Sequence, residues 1–365
     1  MIQRLAITTG GGDAPGLNAV IRAAVLSAGS HGWQCVGIRD GYDGLLHPEC
    51  YPFGGLMPLT REAVRGITHL GGTIIGTTNH GNPLKYPVPD KDGITREVNR
   101  LDELMAAFHR SGIDALIAIG GDGSLAIADA IARAGLKVVG VPKTIDNDLS
   151  ETVITFGFDS AVSFATECLD RLHSTAESHR RVMVVEVMGR YAGWIALHCG
   201  VAATADAILI PEIPYNLDKV AGKIKGRDLD GHGFSIVVVA EGAKPAGGDL
   251  AVLGREAGGM ERLGGAGQRV ADALGRLTGK DTRLVVLGHL LRGGTPTTFD
   301  RLISLRFGAA AVRALASGTT GAMVALAPPE VRLVPLELAT RRMKSVPLDC
   351  DTMLTARDLG IAFGD

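Results

Sequence analysis

Residues 115–134 read ALIAIGGDGSLAIADAIARA: five apolar residues with strand character, a turn rich in glycine, and then a run with helical composition and spacing. Residues 5–28, LAITTGGGDAPGLNAVIRAAVLSA, repeat the same grammar, a short strand from Leu5 to Thr9, a glycine turn, and a helix from Asn18 to Ala28. Further strands are expected at Cys35–Ile38, Lys137–Val141 (closed by a turn at Pro142), Val182–Val187, Ala207–Ile210, Ser235–Ala240 and Leu284–Leu287. Strands alternating with helices imply an α/β protein with mainly parallel, doubly wound sheets and helices on both faces. At 365 residues the chain exceeds what one simple core serves, so two lobes are expected. No Pro- or Ser-rich linker divides it, which suits interleaved lobes that exchange strands rather than separate beads. The charged stretch Lys244–Arg262 reads as a surface excursion.

Composition excludes several classes. With 37 Lys+Arg against 39 Asp+Glu the formal charge is −2, so no basic surface calls for nucleic acid or an anionic membrane, and any anion must be gripped locally. The five cysteines are scattered, without CxxC or zinc-like spacing, and fit a reducing compartment. Neither a signal peptide nor an apolar run of about 20 residues is evident, so a cytoplasmic location is expected. The 50 glycines fall mostly singly or in pairs after short apolar runs, where ligands approach backbone in such folds.

In GGGDAPGLN (residues 10–18) several backbone N–H groups can converge on a phosphate oxygen. In GGDGS, Asp122 among glycines after a buried strand suggests Mg²⁺ held between protein and nucleotide, the alternative being a plain tight turn. PKTIDND gathers Lys143, Thr144, Asp146 and Asp148. In an extended segment both carboxylates share one side with Thr144, and one could accept the proton of an attacking hydroxyl. The alternative there is an Asx-rich turn capping a helix. Cations follow at strand ends: Arg181 after the helical segment, Arg190 after Val182–Met188, Arg283 before the strand LVVL, and His289 and Arg292 after it. Arginine at such ends forks onto phosphate oxygens. Glu241 suits hydroxyl binding and Glu186 a structural ion pair. GGGDAPG lacks GxGxxG spacing, and no acidic residue closes a strand about 20 residues on, which argues against a nicotinamide-dependent dehydrogenase. The residues themselves reach an α/β enzyme for a phosphorylated small molecule.

Read in order, TGGGDAPGLNAVIR, GGT (Gly71–Thr73), IGGDGS, VPKTIDND, ESHRRVMVVEVMGRYAGW, VVVAEGA and VLGHLLRGGTP resemble the phosphofructokinase family across nearly the whole chain. The resemblance implies phosphorylation of fructose 6-phosphate at its 1-hydroxyl. It implies a larger donor-binding lobe (1–157 plus 296–345) and a smaller sugar-phosphate lobe (158–295 plus the C-terminal segment). Asp146 would be the general base, Arg190 would stabilise the transferring phosphoryl group, and Asp148 would support the same centre. Gly11, Gly121, Asp122, Gly123, Ser124 and Lys143 would hold the donor, with Mg²⁺ on Asp122. Thr144, Met188, Gly189 and Glu241 would contact the sugar phosphate. His289 and Arg292 would grip its 6-phosphate, helped by Arg181 and Arg283 from a neighbouring subunit, so a homodimer or homotetramer is implied. Family members use ATP or pyrophosphate. Gly123 leaves the room ATP needs, whereas Lys143 is typical of pyrophosphate users, and the steric criterion favours ATP. A silent regulatory subunit is disfavoured by the intact trio Asp122, Asp146 and Arg190. Two departures stand out. Thr77-Thr78-Asn79-His80 lacks the arginine that bridges donor and sugar phosphate in the allosteric bacterial enzymes, leaving His80 or Lys85 as substitutes. Their effector site keeps Arg22, but Leu26 and Asp230-Gly231-His232-Gly233 replace its other basic residues, so control by ADP or phosphoenolpyruvate is not expected.

Overall fold

A computed structural model describes residues 2–89, 95–255 and 261–365. The chain divides into two compact units. The first comprises Met1–Ile145, Leu149–Asp159 and Arg292–Met343; the second comprises Asp146–Asp148, Ser160–Leu291 and Lys344–Asp365.

The first unit carries β1 (Arg4–Thr9), β2 (Gln34–Ile38), β3 (Leu56–Pro58), a small hairpin of β4 (Tyr86–Pro89) and β5 (Thr95–Val98), then β6 (Ala115–Gly120), β7 (Lys137–Thr144) and β8 (Phe156–Gly157). The second carries β9 (Val182–Val187), β10 (Ala207–Leu209), β11 (Ser235–Ala240), a hairpin of β12 (Val252–Arg255) and β13 (Glu261–Leu263), and β14 (Thr282–Val286). The chain then returns to the first unit as β15 (Ala322–Ala327) and β16 (Glu330–Pro335). The first unit's eight-stranded sheet has the order β16-β15-β7-β6-β1-β2-β3, with β8 added to β7. From β15 to β2 the pairs are parallel; β16 and β3 close the edges antiparallel. The second unit's sheet, β10-β11-β9-β14, is parallel throughout.

Both sheets are buried on two faces, so β6, β9 and β11 are sealed along their full length and read as continuous apolar runs. The pleat then sorts alternate residues. Leu5, Ile7, Ile117 and Val139 pack with Leu17, Ile21 and Phe307 of the helices Leu17–Ser30 and Thr298–Ala316. Ala6, Leu116 and Val138 pack with Leu104, Phe108 and Ile131 of the helices Leu101–Arg110 and Asp122–Arg133. In the second unit Val184, Val237 and Val239 meet Val220, Val270 and Leu274.

Three local readings of the sequence are corrected. β7 does not turn at Pro142 but continues to Thr144. Proline fits there because β15 pairs with β7 only at Val139 and Gly140, so the missing N–H costs no ladder bond to that neighbour. Asp146 and Asp148 do not alternate along an extended segment: the chain turns after Thr144, and Asn147 is left-handed with φ 52°. Arg283 lies inside β14, on the sheet edge, rather than before it. The described residues of the charged stretch Lys244–Arg262 contain β12 and the start of β13, which pair antiparallel. No helix among the described residues is long and apolar enough to cross a membrane.

Candidate active site

In the first unit β1 and β6 are parallel neighbours, and the helix after each starts at a glycine turn. Strand order reverses at this pair, where open α/β sheets collect ligands beyond the C-terminal strand ends. The two turns are laced together: the Gly10 N–H donates to the Ile119 carbonyl at 3.0 Å, and the Gly11 N–H to the Thr78 carbonyl at 3.0 Å. The Thr77 hydroxyl in turn donates to the Gly11 carbonyl at 2.7 Å. Thr77-Thr78, where a bridging arginine was missed in the sequence, therefore builds the wall of the first turn. Gly11 has φ 78° and needs glycine's freedom. At Gly12 a Cβ would sit 2.5 Å from the Arg292 guanidinium, so a side chain there would push that cation aside. The buried Lys143 ammonium donates to the Gly12 carbonyl.

The structure thus brings Gly11, Lys143 and Arg292 together. Ser124 joins them, its hydroxyl oxygen lying 2.6 Å from where a Gly10 Cβ would be. Asp122 and Gly123 open the helix Asp122–Arg133, both exposed, with Gly121 as the residue before it. A Cβ built on Gly123 meets nothing within 4 Å. Helix N-terminal N–H groups, an exposed carboxylate and two cations suit a phosphate chain carrying Mg²⁺. Among the described residues no three His, Cys, Asp or Glu cluster as a metal cage.

In the second unit the ends of β9 and β11 are tied beyond the ladder: the Glu241 N–H donates to the Val187 carbonyl at 2.9 Å and Gly242 to Gly189 at 3.1 Å. Met188, Gly189, Arg190 and Glu241 consequently share one end of this sheet. Arg181 and Arg283 are gathered by one carboxylate. The Arg181 Nε lies 2.5 Å from one oxygen of Asp281, and an Arg283 terminal nitrogen lies 2.7 Å from the other. His289 is exposed in the single turn Gly288–Arg292 that follows β14. Glu186 was expected in a structural ion pair; among the described residues the partner seen is instead a backbone N–H. The carboxylate accepts the Gly267 N–H at 2.7 Å, at the start of the helix Ala266–Thr278, whose cap residue Gly265 offers no side chain.

The catalytic-looking turn Asp146–Asp148 has partners that sequence reasoning missed. Lys344 donates its N–H to the Asp148 carbonyl at 2.8 Å and its ammonium to the Asn147 Oδ1 at 2.9 Å. The Trp194 indole donates to the Lys344 carbonyl at 2.8 Å. The Glu212 carboxylate accepts from Val346 at 2.8 Å and from Gly193 at 3.1 Å. Asn147 carried a signal, since Asn readily adopts left-handed backbone. Lys344, a single lysine in a polar stretch 197 residues away, carried none.

The phosphofructokinase family profile matches residues 4–315. The chain belongs to the phosphofructokinase family. An ATP-dependent 6-phosphofructokinase of Chloroflexus aggregans is 51% identical over 366 residues, covering 100% of this chain and 98% of its own. A pyrophosphate–fructose 6-phosphate 1-phosphotransferase of Amycolatopsis mediterranei is 48% identical over 350 residues, covering 95% of this chain and 97% of its own. A solved pyrophosphate-dependent phosphofructokinase from Nitrosospira multiformis superposes with TM-score 0.81 at 21% identity, covering 100% of this chain and 93% of that one. At that identity the likeness is one of fold. Phosphofructokinases that resemble this chain thus bear the names of both donors, and the donor has to be argued from the chain's own residues.

Proposed function

We propose that this phosphofructokinase transfers the γ-phosphoryl group of ATP to the 1-hydroxyl of fructose 6-phosphate, giving fructose 1,6-bisphosphate in glycolysis. The observation that carries the donor reading is the open space at Gly123, which leaves the helix start clear for a nucleoside triphosphate. The turns around Gly11 and Gly121–Ser124 receive the donor phosphates, and Lys143 lends charge to the first turn. Asp122 would hold Mg²⁺ together with donor oxygens, and the ion would supply neutralisation of charge on the phosphate chain.

On the acceptor side Asp146 takes the proton of the attacking hydroxyl, Arg190 stabilises charge on the moving phosphoryl group, and Asp148 supports them. Thr144, Met188, Gly189 and Glu241 contact the sugar, and His289 and Arg292 its 6-phosphate. Arg181 and Arg283, paired on Asp281, serve the 6-phosphate of a neighbouring subunit, so the working enzyme is a homodimer or homotetramer in the cytoplasm. Leu26 and Asp230–Gly233 leave no cationic effector site, and regulation by ADP or phosphoenolpyruvate is not part of this reading.

The second reading, a reversible pyrophosphate-dependent transferase, is favoured by the tether of Lys143 to Gly12, which keeps a cation in the first turn. Initial rates with fructose 6-phosphate and Mg²⁺, with ATP or pyrophosphate as donor, decide between them. Turnover only with pyrophosphate overturns the ATP assignment, and turnover with neither overturns the activity.

A further inference from the structure

Asn147 is 4% exposed and left-handed, a conformation that a residue other than glycine holds only where its surroundings fix it. The two bonds from Lys344 span this residue and the next, one to the Asn147 side chain and one to the Asp148 backbone. Lys344 is itself fixed, by the Trp194 indole on its carbonyl, by its ammonium 5.7 Å from the centre of that ring, and by the Val346 N–H on Glu212 two residues on. Burial brings the ammonium down to about 8, with the Asp148 carboxylate opposing that fall, so it is mainly charged at neutral pH. A cation there offsets the mutual repulsion of Asp146 and Asp148.

We propose that Lys344 is a positioning residue for phosphoryl transfer, clamping the Asp146–Asp148 turn so that the base and its neighbouring carboxylate face the acceptor hydroxyl. The proposal rests on the reading of Asp146 as the base. Lys344 touches neither substrate in this account and acts through the turn. Its loss therefore lowers turnover while leaving ground-state binding of both substrates in place.

The test uses the full-length enzyme with Lys344→Met, Lys344→Arg, Asn147→Gly and the double variant Asn147→Gly/Lys344→Met. Asn147→Gly keeps the left-handed backbone accessible and removes the side-chain carboxamide, and with it the bond from Lys344. Lys344→Met is expected to lower kcat by about 10- to 100-fold while the KM for each substrate moves by less than about threefold. Lys344→Arg is expected to recover part of the loss. The double variant is expected to be no worse than Lys344→Met alone, because both changes cut the same bond. A kcat within about threefold of wild type, a rise in KM that accounts for the loss in kcat/KM, or additive losses in the double variant would each overturn the proposal. Asp146→Asn assayed alongside separates the two levels. If it retains turnover, the base assignment falls and this proposal with it. If it is silent while Lys344→Met is fully active, only the role of Lys344 falls.

Discussion

Replacing Gly123 by aspartate tests the donor argument at one atom. A Cβ at that position meets no neighbour within 4 Å, its backbone needs no left-handed φ and the residue is exposed, so a side chain can start there without strain. Gly123 is the second residue of the helix Asp122–Arg133. Aspartate is a better helix residue than glycine, and a carboxylate in the first turn gains about 0.3–1 kcal/mol from the helix dipole, against repulsion from the adjacent Asp122. The net effect on folding is between zero and about +1 kcal/mol, a Tm unchanged or up to about 4 °C higher. The donor experiences the opposite sign. A carboxylate about 6 Å from a phosphate charge, at an effective dielectric of about 20, is repelled by roughly 3 kcal/mol. Screening by Mg²⁺ and solvent reduces that to about 1.5–3 kcal/mol, or about 10- to 100-fold in KM for ATP. Pyrophosphate, with no nucleoside and one phosphate fewer to place beside Gly123, loses less. Donor titrations of both proteins at fixed fructose 6-phosphate, with thermal unfolding in parallel, read all three quantities. An ATP KM within about threefold of wild type, at unchanged Tm, refutes the steric reading of Gly123. A Tm lowered by more than about 5 °C instead means the glycine is needed for folding.

Three other perturbations follow from particular contacts. Glu186→Ala removes the carboxylate that caps Gly267 and leaves a buried N–H, and should cost about 1–3 kcal/mol in chemical denaturation; a loss under about 0.5 kcal/mol would deny the cap. Glu212 is held above its ordinary 4.5 by burial, with the Val346 and Gly193 N–H groups opposing the shift. Because its folded value is raised, the ionised group lowers stability progressively as pH climbs from 4.5 through the folded value, and that deficit persists above it. Glu212→Gln, which keeps an acceptor for those N–H groups, should therefore gain Tm over wild type on going from pH 4 to pH 7, and a difference that is flat or shrinks over that range contradicts the assignment. Arg292→Ala should mainly raise the KM for fructose 6-phosphate, and an unaltered KM would remove Arg292 from the sugar phosphate's site.

The parallel sheets were legible because strands buried on both faces are dominated by apolar residues: β6 is apolar throughout, β9 departs from that only at Glu186 and β11 only at Ser235. Glycine turns were legible for a related reason: backbone that must approach an anion cannot carry side chains. What escaped depended on contacts between residues far apart in sequence. Nothing near Glu186 says that its partner is the start of a helix 81 residues on. Alternation, a sound rule inside a strand, was extended across Asn147, where the chain had already left the strand. Pro142 does not end its strand: β6 pairs with β7 as far as Gly120 beside Pro142, while β15 pairs with it only at Val139 and Gly140.

Lys143 and Gly123 gave opposite indications of the donor in the sequence, and the structure shows why they carry unequal weight. The Lys143 ammonium donates to the Gly12 carbonyl, so part of its hydrogen-bonding capacity is used in holding the first glycine turn. A cation there favours phosphate of any kind, because ATP and pyrophosphate each present an anionic terminal group to the turn. It raises affinity for both without separating them. Gly123 differs in kind: open space admits the larger donor, and a carboxylate there would penalise it by repulsion as well as by bulk. Specificity is a difference of affinities, and a repulsive element against one ligand separates the two more sharply than an attraction they share. On the proposed reading, therefore, the absence of a side chain at Gly123 would decide for ATP, and Lys143 would set how tightly the terminal phosphates are held.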